Sequence, residues 1–121
     1  MARIQDHHSS TMIENRIGII QSTIETARNI PSDTKAELLK LVAGLKSEIT
    51  TLSETHQEEA SSITRFAEAS AHEASRSQKN PQLVETALHG LRLSIQGFED
   101  SHPVLFGTVN RFATALSNMG L

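Results

Sequence analysis

The chain has 121 residues, 37% hydrophobic and 21% charged, with a formal net charge of −3. Those figures fit one globular domain able to bury its own core. Its eleven Lys and Arg are scattered, with no interleaved aromatic platform for bases, so nucleic acid is not an expected partner. The absence of Cys excludes disulfides, thiolate nucleophiles and Cys-based zinc sites.

The remaining composition points to helices. Four Phe, with no Trp or Tyr, leave a core of Leu, Ile, Val and Ala, whereas sheets favour rings and β-branched residues. Six Gly and three Pro offer few breakpoints. No alternating run or Asn-Gly or Asp-Gly pair signals a strand or hairpin turn.

In chain order, residues 1–10 are polar and read as a flexible N-terminal tail, ahead of a single helical domain over 11–121. Thr11 and Glu14 have the spacing of a capping box, which would start a helix over about 11–29. Its apolar seam is Ile13, Ile17, Ile20, Ile24 and Ala27, and Pro31 ends it. A second helix is expected over 33–77, with Thr34 and Glu37 as a further capping box and a seam of Leu38, Val42, Leu45, Ile49 and Leu52. Continued in phase, the seam carries His56 and Glu59 before Ile63 and Phe66 restore it. No Gly or Pro lies between Gly44 and Pro81, which favours one helix. The alternative is a break near 53–56, with Thr55 and Glu58 capping a new helix.

Ala60, Ala67, Ala71 and Ala74 make the second half of that stretch thin-sided. Small residues bury little apolar area, so it should be the least stable part, its core pairing left to Ile63 and Phe66. Ser75 to Asn80 is a polar linker. Asn80 followed by Pro81 is a strong start for a helix over 81–100.

The most regular seam runs through Val84, Leu88, Leu91, Ile95, Phe98, His102, Leu105, Val109, Phe112, Leu116 and Met119. Only His102 is polar, and Pro103 follows it. That junction reads as a kink or a tight turn into a last helix over 102–119, capped by Ser101 and stopped by Gly120. The helical segments share a rhythm without an alignable sequence, so no internal repeat is read.

Few residues could carry chemistry. Glu99 and His102 form a Glu-x-x-His pair, the spacing of di-iron bundles, but the chain has no second such pair and Pro103 disturbs the geometry. Glu68 with His72, and Glu85 with His89, are spaced for modest surface attraction. His7 and His8 fall in the expected tail. No Gly-x-Ser-x-Gly turn or phosphate-cradling loop is present, so catalytic, cofactor and metal residues are read as none and an enzyme is not expected. The apolar runs are far short of the roughly 20 residues that span a bilayer, and the opening stretch lacks the apolar core of a signal peptide. Arg111 is the only basic residue of the last helix, which argues against an interfacial membrane helix. A cytoplasmic protein is the expectation.

Three stretches carry a resemblance: Phe66-Ala-Glu-Ala-Ser-Ala-His-Glu-Ala-Ser-Arg76, Phe98-Glu-Asp-Ser-His-Pro103 and Leu116-Ser-Asn-Met-Gly-Leu121. Together they resemble a small family of uncharacterised bacterial proteins, domain of unknown function 4404, from about Ile63 to Leu121. The resemblance implies a short helical protein and places His72, His102 and Pro103 in a family pattern, with no activity or cofactor attached.

The expectation is therefore an all-α antiparallel helical hairpin or bundle with coiled-coil-like seams. Long thin arms would leave apolar edges open, which points to a homo-oligomer, a dimer first, or to packing on another helical protein. The expected function is a non-enzymatic structural or interaction module. The alternative is a small metal-binding bundle using Glu99 and His102.

Overall fold

The computed structural model describes the backbone of residues 2–120 and the side chains of residues 11–119. It contains five helices, α1 Ala2–Thr26, α2 Ser32–Ser53, α3 Gln57–Ser75, α4 Pro81–Ser94 and α5 Pro103–Gly120, and no strand among the described residues. The expected helical rhythm is the cause. Ile13, Ile17, Ile20 and Ile24 of α1, Leu38, Val42, Leu45, Ile49 and Leu52 of α2, and Val84, Leu88 and Leu91 of α4 are all buried in one core. From α5 that core takes Leu105, Val109, Phe112 and Leu116. Each four-three seam puts one apolar stripe on one side of its helix, and burying that stripe is what holds the helices together.

Helix α3 lies at the centre. It packs against α1, α2, α4 and α5, whereas α2 and α4 do not touch each other. Its thin side makes this possible. Ala60, Ala67, Ala71 and Ala74 are fully buried and let neighbouring backbones come close, so this stretch touches all four other helices. Two polar residues, Thr64 and Ser70, are buried there as well. Their hydroxyls donate to the Ala60 and Phe66 carbonyls at 2.8 and 2.7 Å, which removes the penalty for burying them. Phe66 does not fill the core as expected: it is 40% exposed.

The contacts give the helix directions. Residues 12–16 of α1 lie beside the start of α3, and residues 23–29 beside its end, so α1 and α3 run parallel. Arg16 Nη1 and Glu68 Oε1 pair at 2.8 Å across that interface. Gly44 faces Thr108 while Thr34 and Glu37 flank Thr114, so α2 and α5 run antiparallel. Short connections make α2–α3 and α4–α5 two hairpins, with α1 laid on the first.

Several sequence expectations are corrected. The helix expected over 33–77 is two helices, broken at Glu54 to His56, so the alternative with a break near 53–56 holds. The tetrads expected to be capping boxes do not cap: Thr11 and Glu14 lie inside α1, and Thr34 and Glu37 lie inside α2, whose N-cap is Pro31 without a side-chain bond. His56, not Thr55, holds the N-cap position of α3. The helix expected over 81–100 ends at Ser94. Of the kink and the turn expected there, the chain makes a turn, through a loop from Ile95 to His102 in which Gly97 at φ 95° makes the bend that L side chains resist. Asn80 caps as expected, its Oδ1 accepting from the Gln82 and Leu83 amides at 3.0 and 3.3 Å. The structure draws α1 from Ala2, while the side chains of the expected tail, His7 and His8 included, lie outside the described residues.

Candidate functional site

The two hairpin junctions meet, and there the structure gathers side chains that the sequence scatters. His56, at the entry to α3, sets its ring 5.5 Å from Phe98 and 5.8 Å from His102, centroid to centroid. Phe98 and His102 stand 5.4 Å apart, and all three pairs are edge-to-face. Edge-to-face placement sets the positive rim of one ring against the negative face of another.

Local backbone structure positions both histidines in the same way. The His56 amide donates to the Leu52 carbonyl at 2.8 Å, and the His56 carbonyl accepts from Ala60 at 2.9 Å. The His102 amide donates to Phe98 at 2.9 Å, and the His102 carbonyl accepts from Phe106 at 3.0 Å. Each ring is then held by the hydroxyl one residue earlier. Thr55 Oγ1 lies 2.8 Å from His56 Nδ1, and Ser101 Oγ lies 2.9 Å from His102 Nδ1. Thr55 Oγ1 is also 3.4 Å from the Leu52 carbonyl, which can take its proton.

The residues singled out for metal do not assemble into a site. Glu99 turns into its own loop, where Oε1 accepts from the Gly97 amide at 2.6 Å and braces the tight bend. Among the described residues no group of three or more His, Cys, Asp or Glu could hold a metal ion. Glu68 pairs with Arg16 rather than His72, and His72 stands 4.0 Å from Glu73, largely in water. Glu85 and His89 are both exposed.

An open cleft between the ends of α1 and α3 is lined by Arg28, Asn29, His72, Ser75 and Arg76. Asn29 of this cleft, and Lys35 outside its lining, bond to carbonyls at helix ends. Asn29 Nδ2 donates to the Arg76 carbonyl at 3.1 Å, and Lys35 Nζ reaches the Glu25 and Ala27 carbonyls at 3.0 and 2.8 Å. Cationic side chains at helix C-termini offset the partial negative charge there.

The fold and this junction define a class: an all-helical bundle built around paired hairpins, with a histidine–phenylalanine cluster where they join. Among the described residues no helix is long and apolar enough to cross a membrane. The chain belongs to the family described as Domain of unknown function (DUF4404), which it matches over residues 34–121. No curated protein and no solved structure matches it. The matched span covers α2 to α5 and both histidines of the cluster, and leaves α1 outside.

Proposed function

We propose that this protein is a non-enzymatic helical interaction module that associates with itself, with the outer face of α1 as the contact. The observation that carries this reading is on that face. Met12 and Ile19, seven residues apart and so on one side of the helix, are 42% and 49% exposed while the opposite isoleucine stripe is buried. Met12 and Ile19 are two exposed apolar side chains at heptad spacing, flanking the polar Asn15 and Arg16, on a helix that already packs on one side, and such spacing is what a second seam would use. The long-arm argument for oligomers no longer applies, because the arm is broken, so the contact rests on α1 alone. A cytoplasmic setting suits a cysteine-free module of this kind.

The metal-binding alternative has less support, since Glu99 is occupied by the Gly97 amide. Sedimentation or light scattering at micromolar concentration tests the main reading. The wild type should exceed the monomer mass, and M12K/I19K should be monomeric with unchanged helicity, because both positions face water. A monomeric wild type sinks the proposal. Stoichiometric zinc or iron in tag-free protein would favour the alternative.

A further inference from the structure

We infer that residues 34–74 and 80–120 are two copies of one helix–junction–helix unit, and that His56 and His102 are the same residue of the two copies, set against each other as a clasp. This stands independently of how the protein associates.

The structure shows where to align the chain, and the sequence then answers. Placing His56 on His102 aligns 34–74 with 80–120 without a gap. Identical residues fall at Gly44 and Gly90, Leu45 and Leu91, Ile49 and Ile95, and His56 and His102. The run Arg65-Phe66-Ala67 repeats as Arg111-Phe112-Ala113, and Ala69 matches Ala115. At the junctions Leu52 matches Phe98, Glu54 matches Asp100 and Thr55 matches Ser101, while Thr51 and Ser53 stand where the second copy has Gly97 and Glu99 and its first helix ends earlier, at Ser94. A shared helical rhythm explains matched apolar positions, but not matched Gly, His and Arg.

Three structural observations agree with the alignment. Helices α3 and α5 begin at aligned residues, Gln57 and Pro103. Both histidines have the same amide, carbonyl and hydroxyl partners at aligned positions. The packing also exchanges correctly: α2 lies on α5 as α4 lies on α3, α3 touches α5, and α2 and α4 stay apart. That is the pattern of a two-fold axis running between α3 and α5.

The departures are informative. Helix α1 covers α2 and α3 and has no counterpart on α4 and α5. The positions matching buried Thr64 and Ala71 are Asn110 and Ser117, polar and only half-buried, as suits a face that no helix covers. The chain is thus a single-chain equivalent of a hairpin dimer. Its two junctions meet where a two-fold axis brings equivalent residues together, and the ring cluster ties one copy to the other.

Spin-label distances in the intact, cysteine-free chain test the duplication, with labels at exposed Lys40, Arg65, Thr86 and Arg111. K40C/R65C and T86C/R111C should give the same distance distribution, and so should the crossed pairs K40C/R111C and T86C/R65C. Unequal distances in either comparison overturn the duplication. Thermal melts of His56→Ala, His102→Ala and the double variant test the clasp. Each single change should lower Tm by a comparable amount, and the double by clearly less than the sum, as for residues of one cluster. Additive shifts overturn the clasp while leaving the duplication to the distance measurements.

Discussion

Glycine shows how far one side chain's surroundings change the outcome of the same substitution. Gly18 lies in α1 with open space where a Cβ would stand, so Gly18→Ala should stabilise by about 0.5–1 kcal/mol through helix propensity alone. Gly90 lies in α4 with the Phe66 ring occupying that space. The same propensity gain there is opposed by overpacking of about 1–3 kcal/mol, so Gly90→Ala should lower stability. Urea denaturation of the two variants checks both signs, and a stabilised Gly90→Ala would mean that the half-exposed Phe66 swings aside without loss. Nothing in the sequence distinguishes these glycines, because each is a mid-helix Gly until the opposing helix is known.

Among the elements, what separates one helix from the next is the chemistry of its ends. Asn80 satisfies two orphaned amides at the start of α4, so Asn80→Ala should cost about 1 kcal/mol. Gly97, at φ 95°, lets the chain leave α4 and reach Phe98, and Gly97→Ala should cost about 1 kcal/mol or more. Denaturant titration reads both changes, and a neutral Asn80→Ala would show that Pro81 alone sets the start of α4. The Asn80 cap was legible because Asn-Pro has one strong local solution. The break at Glu54 to His56 was legible only as the alternative, because no Gly or Pro marks it. Leu52, Ile63 and the alanines can all be buried only if the chain turns back, and that requirement is tertiary.

For the molecule as a whole, the position of α3 dominates. It touches every other helix, so no helix pair can be lost without opening its alanine-lined sides. Thermal unfolding should therefore be one cooperative transition, with calorimetric and van't Hoff enthalpies equal. A separate early transition for α1, which lies outside the duplicated core, would contradict this. The two-fold relation also explains why the bundle closes without long arms: each hairpin supplies the apolar partner that an isolated hairpin lacks.

By itself the sequence determined that the chain is helical, where its apolar stripes lie and where α4 begins. These follow from period and local capping, which act within a few residues. Only the tertiary structure decided that 33–77 is two helices, that Glu99 braces a loop, and that His56 meets His102. Those outcomes depend on which stripes face one another, and the burial of one stripe against another is a contact between residues far apart in the chain. The same holds for the internal duplication. Its matching residues were present in the sequence throughout, but the shared rhythm of the seams allows many alignments, and only the meeting of the two junctions selects one.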